Sequence, residues 1–309
     1  MTQTAEQTEA VLAWRFFAVE VRQVHRLSPN FVRITFTGDD LHKFADNGFD
    51  QRIKLLTALP GVGFAHLPTG PDWYGEWRDL PAEHRNPIRT YTIRAVRPHL
   101  NEVDVDMVLH GSTGPASKFA AEARPGDQAF LMGPNADFTG LHGGIDFHPP
   151  AHTDCILLGG DETAVPAIAS ILANLPADAR GEALLEVPED ADRLPDVTAP
   201  AEVRITWLPR NGAPQGEKLI PAVRQATRRI LGDAAPTPSP QELEDVDVDH
   251  DILWEVPEPL TDTTRFYAWL AGEAAAIKTL RRHLVSECGV DRRSVAFMGY
   301  WRQGKAEDN

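Results

Sequence analysis

Apolar and polar residues alternate through the first half of the chain, whereas the second half carries short unbroken apolar blocks. Phe16 to Leu27 and Phe31 to Thr37 alternate on either side of the turn Ser28-Pro29-Asn30, which predicts two half-buried strands. Arg52 to Leu59 reads as a third strand. Residues 60–88 hold many Pro, Gly and Trp residues and read as a long loop. Further strands are predicted at 89–96, 102–109 and 127–133, the last after the turn Pro125-Gly126-Asp127, with one short helix over Ser117 to Ala123. Several short strands with one helix predict a small closed antiparallel β-barrel.

The period then changes. Cys155-Ile156-Leu157-Leu158-Gly159 is apolar throughout, as in a strand buried on both faces of a parallel sheet. A helix over Thr163 to Leu175 and strands over Ala183 to Val187 and Val203 to Leu208 follow. Next come a helix over Glu217 to Leu231, a strand over Phe266 to Ala271, a helix over Glu273 to Glu287 and a strand over Ser294 to Tyr300. This alternation predicts an α/β domain, a Rossmann-like parallel sheet with helices on both faces. The fold class is therefore β followed by α/β, with a barrel domain over 14–145 and an α/β domain over 151–309. The join falls in Gly140 to Thr153, which holds several glycines and Pro149-Pro150. Residues 233–264, rich in Pro, Asp and Glu, read as an acidic surface loop.

The length of 309 residues suits two domains. A formal net charge of -15 argues against general nucleic-acid binding, and an anionic ligand would need a local basic patch. The two cysteines, Cys155 and Cys288, read as buried structural thiols, and no close Cys/His cluster resembles a zinc site. Met1 to Ala13 is polar and acidic, without the basic and apolar regions of a signal peptide. No apolar run is long enough to span a bilayer. These features lead to the expectation of a cytoplasmic protein with reduced thiols.

Three consecutive motifs carry the candidate chemistry. On the strand Arg89-Thr90-Tyr91-Thr92, Arg89 and Tyr91 share a face. A guanidinium there can pair with a pyrophosphate, and a phenol can lie against a flavin or its ribityl chain. Thr92 faces the other way unless the strand bends. A surface strand with solvated arginines is the plainer reading. On the next strand Val103, Val105, Met107 and Leu109 make a core face, and Glu102, Asp104, Asp106, Val108 and His110 the other. A valine among polar groups implies that this second face is covered near its end. A planar ring is one cover; a strand-end histidine is the plainer account of His110. Then Gly114 permits close backbone approach, Pro115 suits a first helical position, and the amides beyond offer an anion site. A common turn-to-helix junction reads the same way. In the second half, Gly159-Gly160-Asp161-Glu162-Thr163-Ala164 joins a strand to a helix, where open α/β sheets bind ligands. It lacks the G-x-G-x-x-G dinucleotide fingerprint, and Asp161 or Thr163 can simply cap the helix. The turn Leu270-Ala271-Gly272-Glu273 is ambiguous in the same way.

Together, RTYTIR, DVDMVLHGSTGPASKFA, PGD, GGDETAVPAI, WLAGEAAAIKTLRRHL and MGYWRQG resemble the siderophore-interacting protein family, in order from about Phe16 to Gly304. Members are FAD-dependent ferric-siderophore reductases of the ferredoxin-reductase-like superfamily. The resemblance implies an FAD-binding Greek-key barrel before a nicotinamide-type, NAD(P)H-binding-like α/β domain. It implies that Arg89, Tyr91, Thr92, Asp106, Val108, His110, Ala116 and Ser117 hold FAD, and that Thr163 and Ala164 approach the flavin. Phe119 stands where many relatives carry Trp, and the acidic stretch around 240–250 is longer than usual.

The implied reaction takes electrons from NAD(P)H or reduced ferredoxin through FAD to the Fe(III) of a siderophore, releasing Fe(II). The protein then needs no iron ligands of its own, but a basic pocket for an anionic chelate. Lys54, similar to a substrate-side lysine of the family, is the first candidate, with Arg302 and Lys305 next. Ordinary surface charge explains Arg302 and Lys305 equally well. Trp301 either stacks near the flavin or packs the last strand. A general NAD(P)H-flavin reductase and a flavin- or siderophore-binding protein without turnover are the other readings.

Overall fold

The computed structural model describes residues 11–109, 115–150, 152–232, 252–257 and 265–304, with backbone alone at 115 and 116. Six strands, β1 (Trp14–Arg26), β2 (Phe31–Thr37), β3 (Arg52–Thr57), β4 (Ile88–Arg97), β5 (Glu102–Val108) and β6 (Gln128–Pro134), close into a barrel in the order β1-β2-β5-β4-β3-β6. Every pairing in it is antiparallel. The alternation read from the sequence is what fills it. Phe17, Ile34, Phe36, Ile53, Leu55, Val103, Val105, Met107 and Leu131 point inward and are buried. Helix α2 (Pro115–Glu122) plugs one end with Phe119 and Ala120; the Phe119 ring lies parallel to Phe36, centroids 6.4 Å apart. The helix opens two residues before the predicted Ser117, at Pro115, the residue read as suiting a first helical position.

Residues 60–88 are not the plain loop expected from their Pro and Gly content. They contain helix α1 (Trp73–Asp79), whose Trp77 is 1% exposed. The segment lays Phe64, Leu67, Trp73, Trp77 and Leu80 over Phe16, Leu56, Ile88, Phe130 and Met132 on the barrel's outer face. Buried Asn86 fixes it, donating to Thr57 O (3.0 Å) and Gly63 O (2.9 Å).

The second sheet contains β7 (Cys155–Gly160), β8 (Arg180–Val187), β9 (Glu202–Pro209), β10 (Trp254–Glu255), β11 (Phe266–Glu273) and β12 (Val295–Trp301), in the order β10-β12-β11-β7-β8-β9. Five strands are parallel, as expected. The exception is β10, an antiparallel edge strand beside β12. It lies inside the stretch read as an acidic loop, and its neighbour Leu253 is 2% exposed. Helix α3 (Val165–Asn174) packs on the face toward the barrel; α4 (Leu219–Leu231) and α5 (Ala274–Arg281) pack on the other. The predicted last helix continues past Arg281 only as a π-helical turn over Arg282–Glu287. Cys155 and Cys288 are free and half-buried, less enclosed than expected. No helix among the described residues is long and apolar enough to cross a membrane.

Polar bonds join the two halves. Asp192 accepts from Ser28 Oγ (2.7 Å), Asn30 N (2.9 Å) and Asn30 Nδ2 (2.8 Å), and Ser170 Oγ donates to Ile93 O (3.0 Å).

Candidate functional site: a barrel end and a carboxylate-filled seam

Arg89 stands opposite Leu55 and Tyr91 opposite Ile53 in the β3–β4 ladder, so both side chains share the face that enters the barrel. Both are half-buried; Tyr91 packs against the barrel core and Arg89 Nη1 donates to Ile88 O (2.7 Å). Thr92 points the other way, buried, opposite Arg52. The strand does bend, but just beyond it. Ile93 pairs with Val105 and Ala95 with Asp104, leaving Arg94 as a bulge. Because β4 and β5 run antiparallel, Arg89 and Tyr91 lie at the barrel end where Val108 leaves β5 and α2 begins. Ser117 is half-buried on the first turn of α2; His110, Gly114 and Lys305 lie outside the described residues, as do the side chains of Pro115 and Ala116.

The covered face of β5 is real, but its cover is largely arginine. Asp106 is 3% exposed and receives Arg33 through two bonds (2.6 and 2.8 Å), with Arg94 at 3.7 Å. Arg97 takes Asp104 the same way (2.6 and 2.7 Å) and also reaches Glu102 at 3.0 Å. Burial pushes the Asp104 carboxyl up, but the bonds from Arg97 and Thr35 outweigh it and hold it below the usual range. Val108 packs toward the second sheet's core. Lys54 and Thr90 pair on the face opposite to Arg89 and Tyr91, with Lys54 Nζ 2.7 Å from Thr90 Oγ1.

Across the seam, Asp161 follows β7 directly and is 2% exposed. It accepts from Thr163 N (2.9 Å), Thr163 Oγ1 (2.5 Å), Glu273 N (2.7 Å) and Trp301 Nε1 (2.8 Å). Burial first, then the neighbouring Glu162 charge, push its carboxyl up to about 7 despite these bonds. Neither Asp161 nor Thr163 caps α3 as the sequence allowed: Ala164 is the N-cap, without a side-chain bond, and Asp161 instead ties the loop before the helix to β11 and β12. Thr163 is half-buried with its hydroxyl given to Asp161. Ala164 is fully buried, its N–H bonded to Asp161 O (2.9 Å). Trp301 is anchored by its indole N–H, and Arg302 follows it, half-buried.

Sequence reasoning missed a second buried group. Asp50, wholly buried, accepts from Asp146 N (3.1 Å), Phe147 N (3.1 Å) and Trp269 Nε1 (3.2 Å). Burial, then the Asp146 charge, raise it to about 6; burial raises Asp146 as well. Arg52 lies 3.1 Å from Asp146 and 4.7 Å over the Trp254 ring, which itself stacks on Tyr300 at 5.6 Å. The apolar triplet Ile252-Leu253-Trp254 within the acidic run was the available signal. A cavity of about 210 Å³ also lies between the 45–51 loop, the end of β4 and α3, away from Arg89.

The donor set at the barrel end fits a flavin nucleotide. Arg89 and the start of α2 suit a diphosphate, and Tyr91 and Val108 offer flat or apolar surface for a ring.

This architecture, a closed antiparallel barrel followed by an α/β sheet, is that of ferredoxin-reductase-like FAD-binding proteins. A ferredoxin NADP+ reductase from Neisseria gonorrhoeae shares the fold (TM-score 0.56, 13% identity, covering 93% of this chain and 99% of that one). Residues 20–138 match the siderophore-interacting FAD-binding domain and residues 153–304 the siderophore-interacting protein domain. The chain belongs to the siderophore-interacting protein family. It is 30% identical to the ferric vibriobactin reductase ViuB of Vibrio cholerae over 91% of this chain and 88% of that one. A siderophore utilization protein from T. fusca superposes with a TM-score of 0.70 at 29% identity, covering 97% of each chain.

Proposed function

We propose that the protein is an FAD-dependent ferric-siderophore reductase that releases Fe(II), with NAD(P)H or reduced ferredoxin as electron donor. The pairing of Arg89 with Tyr91 on one face, at the barrel end where α2 begins, carries this reading. Bound FAD would convert a two-electron donor into single-electron delivery to Fe(III), whose hard oxygen ligands hold Fe(II) weakly. Arg89 and the first turn of α2, with Ser117, hold the diphosphate; Tyr91 and Val108 border the ring, with Thr92 facing away behind the strand; Trp301 closes it from the second domain. Asp106 acts by fixing Arg33 and Arg94 beside this end. Lys54 and Arg302 give an otherwise anionic surface local cations for an anionic chelate. The relative named as a ferric vibriobactin reductase supports the substrate class.

Purified protein should be yellow, and Arg89→Ala should lose most of its flavin while keeping its fold by circular dichroism. Reduced holoprotein should produce Fe(II) from a ferric chelate, trapped by a ferrous indicator. Lys54→Ala should raise KM for the chelate several-fold with little change in kcat. A colourless protein that takes up no added FAD would sink the proposal.

A further inference from the structure

We infer that the α/β domain does not grip a dinucleotide by its pyrophosphate, because the chain's own carboxylates fill the crevice before α3 and the N-termini of α4 and α5, where that group would dock. The inference rests on the flavin reductase reading and concerns how its electron donor is recognised.

In open α/β sheets a ligand sits outside the carboxyl ends of the strands, where strand order reverses, with its phosphates on a helix N-terminus. Here the order reverses between β7 and β11: the chain builds β8 and β9 to one side of β7, then β11 and β12 to the other. Asp161 stands in that crevice. It takes the N–H of Glu273 from the end of β11 and the N–H and hydroxyl of Thr163 from the entry to α3. Gly272, at φ 145°, makes room for it. A Cβ at Gly272 would come within 2.7 Å of the Asp161 carboxyl carbon. The close approach that such a glycine can give a phosphate is here given to a side chain. Pro166, in the first turn of α3, brings no N–H at all.

The other two helices at this edge are closed more directly, by carboxylates on their first amides. Glu186, wholly buried, accepts from Gly216 N (2.9 Å), Lys218 N (2.9 Å) and Leu219 N (3.0 Å) at the start of α4. Glu273 accepts from Ala276 N (2.9 Å) at the start of α5. Arg210, a cation at the same edge, is committed to Glu162 through two bonds (2.6 and 2.8 Å), and Gln215 adds a third (2.9 Å). A pyrophosphate would meet carboxylates where it needs amides, and like charges repel most strongly where water is excluded. A nicotinamide donor therefore reacts through its ring alone. The hydride carries two electrons to FAD and leaves an oxidised pyridinium, without binding energy from the adenosine half.

The test uses FAD-loaded protein under anaerobic stopped-flow conditions, with NADH, NADPH and reduced nicotinamide mononucleotide as donors. Flavin reduction should rise linearly with each donor into the millimolar range. The rate constants for NADH and the mononucleotide should agree within roughly threefold, because remote binding energy is absent. Millimolar ADP-ribose should not inhibit. Saturation at micromolar dinucleotide, an advantage of NADH above roughly tenfold, or inhibition by ADP-ribose would overturn the inference. The electron-accepting half is checked apart: dithionite-reduced holoprotein mixed with a ferric chelate should yield Fe(II) whichever donor result is found. Failure there would count against the reductase reading and leave the crevice untouched.

Discussion

On the outer face of β5, Glu102, Asp104 and Asp106 stand in a row and each meets a guanidinium; at the seam, the buried Asp50 and Asp161 are held by N–H donors and Asp146 lies beside Arg52. The residue type is the same and the electrostatics are opposite. On β5 the arginines hold Asp104 below the ordinary carboxylate range. At the seam burial lifts all three, two of them to about 6 and about 7. A row of paired charges on a strand is a way to build a sheet face. A cluster of enclosed carboxylates held by N–H donors costs stability at neutral pH, and such arrangements concentrate where a protein does chemistry. The contrast separates a row of paired charges on the barrel from an enclosed cluster at the seam whose ionisation is costly.

The sharpest way to break that contrast is to remove a cation from the row. Arg33→Met should leave Asp106 buried with Arg94 alone at 3.7 Å, and cost about 3 kcal/mol in urea unfolding. Replacing Asp106 with Asn in the same protein should recover part of the loss, because no charge is then stranded. A cost below about 0.5 kcal/mol would mean that the pair behaves as an exposed one, and the row would lose its structural standing.

The seam should respond to pH with a definite sign. Asp50 and Asp161 have folded values above their unfolded ones, so the native state retains protons that the unfolded chain sheds. Stability is then highest below about pH 4 for these groups, falls as pH rises through about 6 and 7, and is fully lost above. Between pH 5 and pH 8 the fall should be about 2 kcal/mol, after allowance for water penetration. Asp104 contributes the opposite sign, but only below the usual carboxylate range, outside this window. The Asp50→Asn variant will have a lower Tm overall, having lost the Trp269 bond. Its Tm should nevertheless fall less steeply from pH 5 to pH 8 than that of the unaltered protein. Equal slopes would remove Asp50 from the account.

The two regions were also unequally legible in the sequence. Alternation exposed the barrel strands, because a half-buried strand writes its two faces at a period of two. The same rule placed Arg89 and Tyr91 together and put Val103, Val105 and Met107 inside. Helix α1 is only two turns long, and its apolar stripe, Trp73, Trp77 and Leu80 at i, i+4 and i+7, was masked by the Pro and Gly residues around it. Strand β10 is two residues long and gave no period to read. Beyond the apolar triplet Ile252-Leu253-Trp254, local pattern gave no sign of the seam's contacts. The partners of Asp161 come from Glu273 and Trp301, 112 and 140 positions away, and Asp50 meets Trp269 across 219. Such a cluster exists only once β7, β11 and β12 are side by side.

The smallest expected effect sharpens the comparison at Arg52. The Arg52 guanidinium lies over Trp254, whose ring is nearly parallel to Tyr300 at 19°. A half-buried cation–π contact contributes about 1 kcal/mol. Trp254 is carried by an edge strand that pairs with β12 alone, so its position depends on that stack as well as on the Glu255–Arg281 ion pair at 2.7 Å. A double-mutant cycle with Arg52→Gln and Trp254→Leu should therefore give a coupling of about 1 kcal/mol, measured by urea unfolding at pH 8, with Asp146 drawing on the same guanidinium. Repeating the cycle at progressively lower pH should raise the coupling slightly, since burial lifts the Asp146 carboxyl and protonating it loosens its hold on Arg52. If the coupling is the same at every pH, the tryptophan and the aspartate do not compete for Arg52, and the seam is served by its cation without contest.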